Sequence, residues 1–308
     1  MERRGLNIRK KLLRQLLPVI RLLPLTAASG ILSGVGKLEY RLHPQLRRAF
    51  DAAVGQGSTA LGCTWDLSRT SRELAGNQIL WRTRDLLLDG VSDERAAAMF
   101  HVLGKEHLDE AVAQGRGCLL LTSHFGAHML PAHWLYRHDY PLRLYMERPR
   151  SISKFMARRF MEDGPHSQEK LFISRRGEST DAASSIIRAS RVLKAGMLLY
   201  MAGDVRWSGK LTEPARFLGK TMTFSSTWVV LASMTSAPVV VVTCHVGDDR
   251  RFHVEFRPSF RVPGDVAETG QAGVWVQRFL DLLEGQVRLH PSNSNEYLFW
   301  SAEEGQAA

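Results

Sequence analysis

One histidine stands where an apolar run gives way to a turn. In the run LLLTSHFGAHMLPAHW the apolar residues end at Thr122, His124 follows, and Gly126 precedes a predicted helix. Ligands collect at the carboxyl ends of strands in α/β sheets, where the next helix adds the positive end of its dipole. Gly126 permits close approach of the backbone at this point. Because an imidazole can accept a proton near neutral pH, we predict that His124 is a general base.

Two further histidines raise the question of a metal site. His128 lies four residues after His124 and His133 follows it, but no acid stands at helical spacing and no cysteine lies close behind. No metal site is therefore predicted. The chain also lacks a GxxxxGK[ST] phosphate loop, a dinucleotide glycine fingerprint after a strand and the nucleophile elbow of hydrolases. No bound cofactor is expected.

From Gly115 onward, short β-like runs alternate with amphipathic helices. The predicted strands cover 118–122, 142–147, 171–174, 197–202, 215–219, 238–246 and 251–257. The predicted helices cover 127–137, 152–163, 180–195, 225–236 and 271–289. This alternation predicts an α/β fold whose mixed, largely parallel sheet is covered by helices on both faces. Since only GDDR separates the last two strands, they should form an antiparallel hairpin at one edge of the sheet.

The part of the chain before this core is predicted to be helical. Apolar residues recur at helical spacing in Arg72–Leu88 and Ser92–Leu103, while Gly55–Gly62 is predicted to be a loop. We therefore expect a helical region at 37–112, packed on an α/β core at 113–300.

The first residues combine positive charge with apolar side chains. Of the net charge of +10, almost all lies in residues 1–50, which hold eleven Lys and Arg and two acids. The longest uncharged run there, Leu22–Gly36, has 15 residues and contains one proline, so it is short for a spanning helix. Basic residues beside apolar ones suit an anionic membrane surface better than nucleic acid. Residues 1–36 are therefore predicted to be an amphipathic membrane-associating segment, with no nucleic acid as partner.

The cysteines indicate the compartment. Cys63, Cys118 and Cys244 are odd in number and far apart, and two of them stand in apolar runs, so they are predicted to be thiols and not bridges. Free thiols favour a reducing, cytosolic side.

Several segments around and after His124 follow a recognisable order. EHLDEAVAQGRGCLLLTSHFG is followed by LYMERPRS, SRRG, LLYMAGDVRW, ARFLGKTMTFSSTWVVLASMTSAPVVVV and a closing helix before LHP. The series, over roughly residues 70–300, resembles the bacterial lipid A biosynthesis (lauroyl/myristoyl) acyltransferase family within the lysophospholipid acyltransferase superfamily. The resemblance implies a glycerol-3-phosphate acyltransferase-like fold and an acyltransferase activity.

The resemblance also implies roles for individual residues. His124 is the catalytic base, and Gly126 belongs to the block that surrounds the substrate. Arg148 matches the family's Arg-Pro arginine, whose planar fork can hold a phosphate or a carboxylate. Arg176, paired with Arg175, is expected to meet the donor's phosphate or an acidic carrier protein.

One departure from the family concerns the partner of His124. Family members carry an acid five residues after the histidine, where this chain has Met129. Three explanations stay open. Asp204, in the loop after the fourth predicted strand, or Glu147, at the end of the second and among the substrate-binding candidates, can replace that acid. Alternatively His124 acts alone on an amine, or catalysis has been lost.

These observations predict transfer of a fatty acyl group from a thioester on acyl carrier protein or coenzyme A. The acceptor would be a glycolipid, a lysolipid or another amphiphile, with His124 and Asp204 as the catalytic residues. The alternative is a non-catalytic lipid-binding or assembly protein that keeps the fold, because Met129 replaces the usual acid. The expected location is the cytoplasmic face of a bacterial inner membrane, peripheral or singly anchored.

Overall fold

The computed structural model describes most of the chain, namely residues 15–16, 19–20, 22–146, 179–294 and 297–303. Several predicted features lie outside these residues: Glu147, Arg148, Arg175, Arg176, the strand at 171–174 and the helix at 152–163.

The described chain begins with three long helices, α1 (Leu25–Leu42), α2 (Pro44–Leu61) and α3 (Leu67–Leu88). The Asp66 side chain caps α3 by accepting a hydrogen bond from the Arg69 N–H at 2.9 Å. The predicted loop at Gly55–Gly62 is wrong, because α2 continues through it and stops only at Gly62, whose φ is 62°. Gly57 lies inside the helix, where an added Cβ would come within 2.4 Å of the Leu298 side chain. Gly57 allows close packing, and neither Gly57 nor Gly55 breaks the helix.

The predicted helix at Ser92–Leu103 is also wrong in its second half. Helix α4 spans only Asp93–Ala97, and Phe100–Leu103 form strand β1. Residues of β1 alternate between half-buried and exposed, and the strand pairs in parallel with a strand about 150 residues away. A tertiary partner therefore decides the conformation of this four-residue segment.

The rest of the described chain alternates between strands and helices, as predicted. Its elements in chain order are α5 (Lys105–Ala113), β2 (Cys118–Thr122), α6 (Leu130–Arg137), β3 (Leu142–Tyr145), α7 (Ser179–Lys194), β4 (Leu198–Ala202), β5 (Thr212–Phe217), β6 (Lys220–Ser225), α8 (Thr227–Thr235), β7 (Val239–Val246), β8 (Phe252–Phe256), α9 (Val266–Thr269), α10 (Ala272–Leu289), a 3-10 turn (Pro291–Asn293) and α11 (Tyr297–Glu303).

Among the described residues, six strands form one mixed sheet in the order β1-β8-β7-β2-β4-β3. All neighbours are parallel except β7 and β8, which form the predicted antiparallel hairpin. This hairpin is not at the edge, because β1 pairs with the outer side of β8. Every residue of the central strand β2 is buried, so both faces of the sheet are covered there. The predicted α/β fold with a helical N-terminal region is confirmed.

Residues 215–217 of the predicted strand at 215–219 lie in β5, and its last two residues form the turn of a separate two-stranded sheet. Strands β5 and β6 pair in antiparallel register, with Phe217 opposite Lys220, and Gly219 lies in the turn with a φ of 76°. The turn has only two residues, Leu218 and Gly219, and strand β6 after it was not predicted.

Cys118 and Cys244 are buried free thiols, as predicted, and burial raises the pKa of Cys118 to about 12. Within the described ranges, no helix has both the length and the apolar character needed to cross a bilayer.

Candidate active site

Two neighbouring parallel strands bring His124 and Asp204 to the same edge of the sheet. The register pairs Thr122, the last residue of β2, with Ala202, the last residue of β4. His124 and Asp204 each follow their strand end by two residues, so the parallel register sets them side by side. The N–H of Gly203 donates to the Thr122 carbonyl at 2.8 Å and carries the pairing one step beyond the strands. The two residues meet at the carboxyl ends of central strands, where ligands bind in α/β sheets.

Both oxygens of the Asp204 side chain form hydrogen bonds with His124. Oδ1 lies 3.0 Å from Nδ1 of His124, and Oδ2 accepts the backbone N–H of the same residue at 2.9 Å. The carboxylate is fully buried, whereas 39% of the imidazole is exposed. The carboxylate therefore belongs to the interior and the imidazole to the surface of the site.

The electrostatics of Asp204 determine which nitrogen of His124 is basic. Burial raises the pKa of Asp204. The charge of His124 and the hydrogen bonds from His124 and Tyr297 lower it by more than burial raises it, so the pKa lies below its ordinary value. An ionised carboxylate can only accept hydrogen bonds, so Nδ1 of His124 must carry its proton. The lone pair of the neutral ring is then on Nε2. This is the tautomer that a general base at this position needs.

The loop that carries His124 is fixed to the neighbouring strand and to the C-terminal region. The N–H of Ala127 donates to the Cys244 carbonyl at 2.9 Å, and the N–H of Gly126 donates to the Asn293 carbonyl at 2.8 Å. Gly126 has a φ of 56°, and a Cβ there would lie 2.1 Å from the Cys244 oxygen. The close approach expected of Gly126 is therefore made to the backbone at the end of β7.

Asn293 supports the same loop from behind. Its buried side chain accepts from the Val246 N–H at 2.9 Å and donates to the Val246 carbonyl at 3.2 Å. The segment after α10 is thereby joined to the end of β7 and, through Gly126, to the loop of His124. The sequence interpretation missed Asn293, because no local pattern indicates that an asparagine 169 residues after His124 touches its loop.

Tyr297 is a second residue that the sequence interpretation missed. It is fully buried, and its hydroxyl donates to Oδ2 of Asp204. Its spacing from Asp204 in the sequence carries no signal, since α11 reaches the site only through the tertiary fold.

The other histidines and Met129 occupy the turn and the helix after His124. The ring centroids of His124 and His128 are 5.1 Å apart, and the His128 carbonyl accepts from the Tyr200 hydroxyl. Met129 is half-buried at the start of α6, and His133 is buried within that helix. No cluster of three or more His, Cys, Asp or Glu suited to a metal ion is found among the described residues.

The fold and this site define an α/β protein with a histidine and a carboxylate at the carboxyl edge of its sheet. The profile of the bacterial lipid A biosynthesis acyltransferases matches residues 12–294, and the chain belongs to that family. It is therefore an acyltransferase, of the class that acts in lipid A biosynthesis. A search of curated proteins found no match.

Proposed function

We propose that the protein transfers a fatty acyl group from an acyl-carrier thioester to an amphiphilic acceptor, with His124 as the general base and Asp204 as its carboxylate partner. The thioester is carried by acyl carrier protein or coenzyme A, and the acceptor is a glycolipid, lysolipid or similar lipid. The observation that carries the proposal is the contact between Asp204 Oδ1 and His124 Nδ1 at 3.0 Å, at the carboxyl edge of the sheet. Family membership supports the reaction class.

In this mechanism, Nε2 of His124 takes the proton of the acceptor hydroxyl as its oxygen attacks the thioester carbonyl. The tetrahedral intermediate then collapses, the carbon–sulfur bond breaks, and the imidazolium returns its proton to the leaving thiolate. The products are an ester and a free thiol, and His124 is neutral again. Asp204 stabilises the imidazolium while it exists and keeps the ring in the correct tautomer.

The contact between His124 and Asp204 indicates which acid takes the place of the family's carboxylate. Met129 was the reason to consider a protein that has lost catalysis, because it removes the usual carboxylate. A buried, ionised carboxylate on Nδ1 supplies the same chemistry from a different loop. This favours the enzymatic proposal over a non-catalytic lipid-binding protein.

The test is turnover of long-chain acyl thioesters by the purified full-length protein. We expect His124→Ala to lower turnover by roughly 10²- to 10⁴-fold, the usual loss when a general base is removed. Asp204→Asn should be nearly as damaging, because an amide stabilises the imidazolium poorly and permits the wrong tautomer. Comparison of membrane lipids from cells with and without the protein identifies the acceptor.

A matched control is His107→Ala, a histidine on α5 outside the site. It should retain wild-type turnover, and melting temperatures of all variants should establish that they fold. Equal turnover by wild type and His124→Ala would contradict the proposed role of His124.

We further propose that the protein docks on the membrane through α1 and the residues before it. The outward side of α1 presents Ile31, Leu38 and Leu42, which are 45%, 55% and 64% exposed. Leu22, just before the helix, is 81% exposed. An apolar surface of this kind beside basic residues such as Arg41 suits the interface of an anionic bilayer. Docking there would place the protein on the surface that holds a lipid acceptor.

A further inference from the structure

The hydroxyl of Tyr297 completes the hydrogen bonding of the carboxylate beneath His124. Tyr297 is the first residue of α11 and has no exposed surface. Its hydroxyl donates to Oδ2 of Asp204, the same oxygen that accepts the backbone N–H of His124. The other oxygen, Oδ1, faces Nδ1 of the imidazole. The three residues thus form a chain of contacts from the interior to the exposed ring.

We propose that Tyr297 is a positioning residue for the acyl transfer, whose hydroxyl holds Asp204 in the orientation that presents Oδ1 to His124. The inference depends on the proposed role of His124 as general base. Tyr297 is too deeply buried to touch a substrate, so its effect must pass through Asp204.

The physical need for such a donor follows from the burial of Asp204. A buried carboxylate is stable only when hydrogen bonds or opposite charge replace the water it has lost. If the tyrosine hydroxyl is removed, Oδ2 loses one of the two hydrogen bonds described above. It keeps the one from the backbone N–H of His124. The carboxylate would then rotate toward other donors or take up a proton. In both cases it would orient and stabilise the imidazolium less well.

Tyr297 is itself held in a fixed place. Its ring packs edge-on against Phe217 at 5.2 Å and against Trp300 at 4.9 Å between centroids. Burial, together with the charge of Asp204, raises the pKa of Tyr297 well above its ordinary value, so the hydroxyl keeps its proton throughout the neutral range. A hydrogen bond from Ser123 offsets only part of this rise in the pKa of Tyr297. The donor is therefore permanent and has a defined direction.

The experiment is a comparison of Tyr297→Phe with Tyr40→Phe in the full-length protein. Tyr40 is a matched control, because its buried hydroxyl also donates to a carboxylate, that of Asp51 at 2.7 Å, between α1 and α2. We expect Tyr297→Phe to lower kcat about 10-fold, the usual effect of one hydrogen bond to a charged group. The KM for the acyl donor should change little, and Tyr40→Phe should retain the wild-type kcat.

A double-mutant cycle separates positioning from general damage. In a His124→Ala background, Tyr297→Phe should cause no further loss, because the residue through which Tyr297 acts is gone. A similar loss in both backgrounds, or an unchanged kcat in Tyr297→Phe alone, would overturn the inference. If His124→Ala itself retains wild-type turnover, it is the proposed function that fails, and the two failures are distinguishable.

A second variant covers the case in which Tyr297→Phe does not fold. Incorporation of 4-aminophenylalanine at position 297 places an N–H donor at the same ring position and should recover most of the wild-type kcat. If the protein with this donor folds but is as slow as Asp204→Asn, donation at position 297 does not support catalysis and the inference is wrong.

Discussion

At the scale of single residues, the site depends on one buried carboxylate that accepts hydrogen bonds from two different parts of the chain. Asp204 accepts hydrogen bonds from the backbone N–H and from Nδ1 of His124, and another from the Tyr297 hydroxyl. Burial raises the pKa of Asp204, but the charge of His124 and these hydrogen bonds together hold it below its ordinary value. Because Asp204 is ionised, it can both orient the imidazole and balance its charge during proton transfer.

The position of the missing family acid gives a prediction at the same scale. Met129→Glu should not raise turnover, because Nδ1 of His124 already faces Asp204. It should also lower the stability of the protein by about 1–3 kcal/mol, since Met129 is half-buried against the core and a carboxylate there loses water. Thioester turnover and denaturant titration measure the two effects. Met129→Gln, which has no charge, is the control, and a clear rise in turnover with Met129→Glu alone would contradict this account.

The sequence predicts part of this site and misses the rest for a physical reason. His124 was predicted from its place after an apolar strand, and Asp204 was one of two candidate acids, named because the family resemblance places an acidic loop after the fourth predicted strand. Tyr297 and Asn293 approach from the C-terminal segment, and their contacts depend on how α10 and α11 pack. Local spacing contains no record of that packing.

At the scale of elements, strands with a clear apolar run were predicted well, and segments decided by tertiary contacts were not. Strand β2 was predicted with the bounds that the structure has, Cys118–Thr122, because a short apolar run between turn residues is typical of a buried strand. Strand β1 was predicted as helix, because the apolar spacing of Ser92–Leu103 also fits a helix and β8, its partner, is far away in sequence. Helix α2 was partly predicted as loop, because Gly55 and Gly57 indicate a break in the sequence, whereas in the structure Gly57 packs against Leu298 and the helix continues.

The pairing of β1, β8 and β7 brings histidines together at one end of the sheet. His101 and His253 are register partners, as are His253 and His245, and His290 stacks on His245 with 3.9 Å between ring centroids. Burial, followed by the positive charges of His290 and His253, lowers the pKa of His245 to about 3. Burial likewise lowers the pKa of His290.

This histidine stack predicts an acid-sensitive stability. Between about pH 6.5 and pH 3 the unfolded chain binds a proton at His245 that the folded chain refuses, so the free energy of unfolding falls as the pH falls. His245→Phe removes this difference, and its loss of stability between pH 7 and pH 5 should be smaller by about 1–2 kcal/mol. Urea titrations at the two pH values measure it. His107→Gln, outside the stack, should behave as wild type, and equal pH dependence of wild type and His245→Phe would refute the prediction.

At the scale of the whole molecule, α1 buries Leu25, Leu32 and Tyr40 together with its small residues, and it leaves a second group of large apolar residues exposed on its outer side. Gly36 meets α3 so closely that a Cβ would lie 2.2 Å from the Ala75 carbonyl, and Ser29 and Ser33 are also buried. At Gly76 of α3, a Cβ would lie 2.5 Å from the Ser33 hydroxyl. A helix that only covers the core needs no apolar residues on its outer side, where Ile31, Leu38 and Leu42 lie. This arrangement leaves the apolar surface of α1 available for a membrane.

The last prediction tests this surface without removing α1. Deletion of residues 1–36 would also remove Leu32 and Gly36, which pack inward, so point variants give the cleaner comparison. The double variant Ile31→Gln/Leu38→Gln should weaken binding to anionic phospholipid vesicles by roughly 30-fold, because each half-exposed side chain contributes on the order of 1 kcal/mol when it enters the interface. Val274→Gln/Leu289→Gln is the matched control, since these side chains are 51% and 71% exposed on α10, away from α1.

Vesicle sedimentation at low and high salt measures both effects, and added salt should weaken the binding of every variant by screening the basic N-terminal residues. Binding that is equal for both double variants, at either salt concentration, would show that α1 does not dock on the membrane.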